Sequence, residues 1–112
     1  MLDPIAGVLE RYMDALSLRQ KLVASNLANA DTPGYKTRDL DFQQAFRDLL
    51  AGGSPSPQEA PGLQTKNDGN NVNIDREARL LAENALRFSL ASGLLRTQIS
   101  MVRSAIEEGK NA

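Results

Sequence analysis

Counting from Ile74 in steps of four and three visits Ala78, Leu81, Ala85, Phe88, Ser92, Leu95, Ile99, Val102 and Ile106, and all of these but Ser92 are apolar. A repeat sustained for roughly four and a half heptads marks a long helix that offers one side to a partner helix. The spacing predicts a helix over 75–108, capped by Asp75 and entered through a short extended piece at Val72-Asn73-Ile74. At about 1.5 Å per residue it is a rod of roughly 50 Å. A second apolar stripe, Leu90, Leu94, Met101 and Ala105, runs beside the first, roughly 120° around the helix. One partner helix covers one stripe and not both, so this helix needs several neighbours. Small residues at Ser89, Ala91, Ser92 and Gly93 permit close backbone approach. Gly93 costs about 1 kcal/mol inside a helix, so it is either kept for close packing or incidental.

A second amphipathic helix opens the chain. Asp3 and Pro4 supply a cap and a proline at the first helical position. Ile5, Val8, Leu9, Tyr12, Ala15, Leu16, Leu22, Val23 and Leu27 share one half of the wheel, and Glu10, Arg11, Asp14, Ser17, Lys21 and Ser25 share the other. Arg19 and Asn26 interrupt the apolar half. Arg19 either snorkels out of a partial interface or pairs with a carboxylate from a neighbouring chain. The helix, assigned to 3–30, is expected to fray through Asn26–Asn29 and to stop before Pro33. Thr32-Pro33-Gly34-Tyr35 fits a type II turn. Asp39 then caps a short helix over Leu40–Leu50 that Gly52-Gly53 ends. Residues 52–71 hold three prolines, four glycines and few large apolar side chains, and read as a flexible linker. The expected fold is all-α in one domain: two long terminal helices paired like a coiled coil, with a turn and short helix at 31–51, the linker at 52–71 and the extended piece with its helix at 72–112.

Composition excludes most chemistry. With 112 residues the chain makes at most one small domain, and chains of this size often lean on partners. Thirteen basic residues against fourteen acidic ones leave a net charge of −1, so no basic field exists to hold a nucleic acid. Cysteine and histidine are both absent, which removes thiol and imidazole ligands and the usual nucleophilic triads. No metal, cofactor or small-molecule substrate is expected, and no enzyme. No apolar run reaches the length of a membrane span. The start, Met-Leu-Asp-Pro-Ile-Ala-Gly, carries an acid where a secretory signal has positive charge, and no apolar segment follows. The pairs Asp39 with Asp41 and Glu107 with Glu108 read as solvated or capping carboxylates. Asp68-Gly69-Asn70 could open a calcium loop, but the remaining ligand spacing is missing and it reads as a turn. Phe42 and Phe46 lie four apart, so that both face one side of the short helix and pack on the helical pair.

The passage Ser25 to Phe42 reads Ser-Asn-Leu-Ala-Asn-Ala-Asp-Thr-Pro-Gly-Tyr-Lys-Thr-Arg-Asp-Leu-Asp-Phe. An Asn-rich helix end followed by Thr-x-Gly-Tyr resembles the bacterial flagellar axial proteins, the family of rod, hook and hook-junction subunits. The fuller string, with Asn26, Asn29, Asp31, Thr32, Pro33, Gly34, Tyr35 and Lys36 followed by Arg-Asp-Leu-Asp-Phe, is most similar to its proximal-rod members. Asp68-Gly69-Asn70-Asn71-Val72, Ile74-Asp75 and the terminal helix resemble the C-terminal half of that family, and Arg19 fits its pattern. The resemblance covers 5–50 and 67–110, and the short middle favours a proximal-rod subunit.

The resemblance implies a structural subunit of the flagellar basal body that stacks through its terminal helices into a helical tube. It implies as partners other copies of the chain, a FlgC-like rod protein, a FliE-like adaptor, the MS ring and the flagellar type III export apparatus. It implies a place in the periplasmic rod, reached without a cleaved signal. It also gives Phe42 and Phe46 a second reading, because rod and hook proteins carry a Phe-x-x-x-hydrophobic element read by the export gate. Leu16, Arg19 and Val23, the seam residues Leu81, Phe88, Leu95, Ile99, Val102 and Ile106, and the stripe residues Leu90, Leu94 and Met101 are the expected subunit contacts. The alternative is a cytoplasmic coiled-coil adaptor or chaperone that holds a client helix on the seam. A membrane-surface helix would need a basic polar face, which the mixed charges Glu10, Asp14, Arg11 and Lys21 do not supply.

Overall fold

The computed structural model describes residues 3–111. Met1, Leu2 and Ala112, which bear on the reading of the chain start and on the last segment boundary, lie outside the described residues. Three helices and one short β ladder follow in the order α1 (Pro4–Ala28), β1 (Arg38–Asp39), α2 (Phe42–Leu50), β2 (Gln58–Glu59) and α3 (Ile74–Lys110). The molecule measures 71 × 25 × 18 Å, and its long axis is set by α3.

Helix α1 begins where Asp3 accepts from the backbone N–H of Ile5 at 3.0 Å and Pro4 occupies the first turn. It ends at Asn29, whose backbone N–H returns to Ser25 and Asn26. α1 and α3 pack antiparallel. Asn26 meets Glu77, Gln20 meets Asn84 and Tyr12 meets Arg87. Helix α1 buries Ala6, Ala15, Leu16 and Val23. Leu16 and Val23 each stabilise it by about 1.5–3 kcal/mol through loss of apolar surface to water.

The α3 side differs from the expected seam. Its buried residues are Glu77, Asn84 and Ala91, spaced by seven. They lie about 60° around the helix from the line through Ile74, Leu81 and Phe88, and those three remain exposed. The long pair is therefore joined along a line that is two-thirds polar. Beyond the start of α1, the end of α3 carries exposed Ile99, Met101 and Ile106.

Two helix caps move from their expected places. Asp41, not Asp39, caps α2, accepting from the Gln44 N–H at 3.2 Å, because the Asp39 carboxylate is held by two arginines. Asn73, not Asp75, caps α3, accepting from the Arg76 N–H at 3.0 Å. Ile74 thereby becomes the first helical residue instead of part of an extended piece, and Asp75 stands in the first turn, where a negative charge favours the helix dipole. Residues 52–71 also follow a defined path. Gln58–Glu59 pairs antiparallel with Arg38–Asp39, the Ala60 N–H reaches the Thr37 carbonyl at 2.8 Å, and Asn70 and Asn71 are buried. Backbone pairing and buried amides tie both ends of a stretch whose composition reads as linker. Helix α2 lies on α1, with Tyr12 clasped edge-on by Phe42 at 5.5 Å and by Phe46 at 5.8 Å between ring centroids.

Candidate functional site

Where α1 ends, four side-chain amides organise the returning chain. Asn26 is fully buried. Its Nδ2 donates to the Arg38 carbonyl at 2.8 Å and to Glu77 Oε1. Its Oδ1 accepts from the Arg38 N–H at 3.1 Å and from the Tyr35 hydroxyl at 2.9 Å. Both amide hydrogens and both lone pairs are used. One side chain thus holds a strand residue by both backbone groups, as a neighbouring strand would, while gripping the first turn of α3.

Asn70 makes a matching junction from the other side. Its Nδ2 donates to the carbonyls of Asn29 and Thr32, both at 2.8 Å, and its Oδ1 accepts from the Val72 N–H at 2.8 Å. Asn71 Oδ1 accepts from the Thr37 N–H at 2.6 Å. Lys36 Nζ reaches the Gly69 carbonyl at 2.6 Å, and Lys66 Nζ the Ala30 carbonyl at 3.2 Å. The two turns touch backbone to backbone. Gly34, at φ +76°, donates its N–H to the Asp68 carbonyl at 2.9 Å. A Cβ on Gly69, at φ +86°, would stand 3.2 Å from Gly34 Cα. Glycine at position 69 serves both the left-handed backbone and the close approach. Asn29 closes its own turn, donating to the Ser25 carbonyl and accepting from Thr32 Oγ1.

A four-residue ionic network lies against this junction. Arg19 Nε and one of its terminal nitrogens hold both oxygens of Asp39 at 3.0 Å. Arg76 joins Asp39 at 2.5 Å to Glu77 at 2.7 Å. Glu77 is fully buried, and its second oxygen belongs to Asn26. Two cations and two anions balance, as charges removed from water require. Burial pushes the Asp39 pKa up, but the Arg19 hydrogen bonds, the Leu40 N–H, the Arg19 charge and Arg76 outweigh it and hold the pKa below the ordinary value.

The expected site residues divide into three groups. Asn26, Asn29, Thr32, Gly34, Tyr35 and Lys36 belong to the local junction through the bonds above, while Asp31 and Pro33 stand exposed beside it. Leu16 and Val23 are buried within the chain's own helix pair and have no surface left for a neighbour. Arg19 is half-buried, and its carboxylate is Asp39 of the same chain, so neither a free snorkel nor a neighbour's acid is needed. Leu81, Phe88, Leu90, Leu94, Ile99, Met101 and Ile106 are exposed, and Leu95 and Val102 half-buried. Phe42 and Phe46 are half-buried against Tyr12. Sequence reasoning missed Glu77, Asn84 and Arg76, because polar residues one turn from an apolar seam read as a solvent face. It also missed Leu86, which lies in the Leu90–Leu94 stripe and is 62% exposed.

Among the described residues no cluster of acidic side chains is arranged to hold a metal ion, and no helix is long and apolar enough to cross a membrane.

Residues 10–36, which run from mid-α1 through the Asn26 junction, match the family model described as flagella basal body rod protein. Flagellar basal body rod protein FlgB of Yersinia enterocolitica is 31% identical over an alignment covering 97% of this chain and 100% of the relative. FlgB of Escherichia coli strain K12 is also 31% identical, covering 97% and 99%. FlgB of Aeromonas hydrophila is 31% identical, covering 94% of each. The first two alignments span 137 positions, more than the 112 residues of this chain, so those relatives carry additional residues. The identity at this coverage, together with a family match that runs through the joint organising the fold, settles the assignment: the chain belongs to the FlgB family of flagellar basal body rod proteins.

Proposed function

We propose that this chain is a proximal-rod subunit that polymerises through its terminal helices. Membership of the FlgB family makes it a structural component of the basal body rod and not an enzyme. The observation that carries the polymerisation reading is the apolar surface α3 keeps outside its own hairpin. Leu86, Leu90, Leu94 and Met101, each about 60% exposed, share one side, and Leu81, Phe88, Ile99 and Ile106 share another. A soluble monomer rarely leaves large apolar side chains in two long rows, and such rows mark protein interfaces. Contacts between unlike faces that do not close generate a helical array. The partners proposed are further copies, a FlgC-like rod protein, a FliE-like adaptor and the MS ring, within the periplasmic part of the basal body.

A strain lacking this chain is expected to be non-motile, with basal bodies that lack a rod by electron cryotomography. Motile cells with intact rods would refute the assignment. Substituting Leu90→Asp and Leu94→Asp should leave the monomer folded, since both side chains are exposed, yet fail to restore motility to that strain.

Phe42 and Phe46 are proposed as the element read by the export gate while the chain is unfolded. In the folded chain the same rings pack on Tyr12, so the two roles are separable. Phe42→Ala with Phe46→Ala is expected to reduce secretion to background, whereas Tyr12→Ala, which loosens the same packing, is expected to leave it intact. Equal loss in both variants would assign the effect to folding alone.

A further inference from the structure

Helix α3 turns a partly polar line toward α1 although an apolar line lies about 60° away on the same helix. Apolar burial alone favours the opposite choice. A roll of that size would carry Leu81 and Phe88 into the α1 interface and send Glu77 and Asn84 to water. Room for the roll exists. An apolar-lined groove of about 430 Å³ runs beside the interface between Leu16, Ser17 and Gln20 of α1 and Asn84, Ala85 and Phe88 of α3. Something holds α3 against closing it.

We propose that Glu77 and Asn84 form a rotational lock: these two buried polar side chains fix the face α3 presents to α1 and so keep the apolar seam outside the hairpin. Glu77 can be buried only in this orientation, where Asn26 and Arg76 satisfy its two oxygens. Asn84 reaches the Leu16 carbonyl and the Gln20 side chain, both at 3.5 Å. Rolling the seam inward strips Glu77 of Asn26 and leaves four Asn26 bonds one short. A buried polar group that is satisfied in one arrangement and orphaned in the next selects between packings that apolar contacts alone would rank the other way. Two anchors seven residues apart define a line, which fixes rotation as a single anchor would not. The consequence for assembly rests on the polymerisation reading above, because the lock keeps available the surface that neighbours would use. The rotation itself is a property of the monomer and is tested without assembly.

The chain has no cysteine, so Leu81→Cys gives a single reporter on the seam, and Glu83→Cys, also exposed, gives a control away from it. Maleimide labelling of the folded monomer is compared in three backgrounds: unchanged, Asn84→Leu, and Asn84→Leu with Glu77→Leu. The lock predicts that labelling at position 81 slows several-fold in both variants while labelling at 83 stays constant, and that Asn84→Leu melts no lower than the parent. Helical protein with unchanged labelling at 81 would overturn the proposal. Should the double variant lose its circular dichroism, Asn84→Leu alone decides. Slowed labelling at 81 with motility retained in a strain carrying that variant would count against the assembly reading and leave the lock standing.

Discussion

Asn26→Ala is expected to be the most damaging single truncation in this chain, lowering stability by about 3–5 kcal/mol in urea melts followed by circular dichroism. The side chain removed is small, and the loss comes from what it leaves behind. The Arg38 N–H and carbonyl, the Tyr35 hydroxyl and one oxygen of buried Glu77 each lose a partner. A buried polar group without a partner costs about 1–3 kcal/mol, and Tyr35 recovers part of its share through Ser25. Against a total of about 5–15 kcal/mol for a domain, that loss is a large fraction of the whole. Asn29→Ala, which removes one backbone and one hydroxyl bond at a half-buried position, is expected to lose about 1 kcal/mol. Equal melting of the two variants would show that the Asn26 bonds do not hold the joint.

Asp39→Ala is expected to rank second, at about 3 kcal/mol, since it leaves Arg19 without its anion and Arg76 with Glu77 alone in a partly buried place. Its pH signature separates it from a packing defect. The folded pKa of Asp39 lies below the ordinary value: burial works against the carboxylate, but the hydrogen bonds and charge of Arg19, with Leu40 and Arg76, more than offset burial. In the acid range the unfolded chain then binds more protons at this site than the folded one, so stability rises with pH there. The contribution is complete at neutral pH and is lost as pH falls through the lowered folded value. The stability gap between the parent and Asp39→Asn should therefore hold constant from neutrality down to about pH 5 and shrink below about pH 4. A gap that persists unchanged in acid would rule out the ionic origin.

These two residues also show how far the sequence could be read. Asn26 stood out because an amide in the middle of an apolar helix face demands a reason, and the Asn-rich run with its Pro-Gly turn marked the place where the chain changes direction. Asp39 was legible as an acid near a helix start, and local spacing made it a cap. The cap is Asp41, because Arg19 lies twenty residues earlier and Arg76 thirty-seven later, and no local pattern carries separations of that size. The stretch 52–71 reads as linker for the same reason. Its composition is that of loops, while its fixed path depends on Thr37, Asn29 and Tyr35 at the far side of the turn.

Periodicity alone determined that this chain makes two long helices with a turn between them, since a 3.6-residue period and a proline are local properties that survive any packing. It also determined that α3 has more apolar surface than one partner can cover. Which face meets α1 was decided only in three dimensions. Heptad counting nominates the apolar seam, and the folded chain instead buries Glu77, Asn84 and Ala91. The energy of burying a carboxylate depends on whether Asn26 and Arg76 are there to receive it, and that is fixed by the closed joint, not by the order of residues along α3.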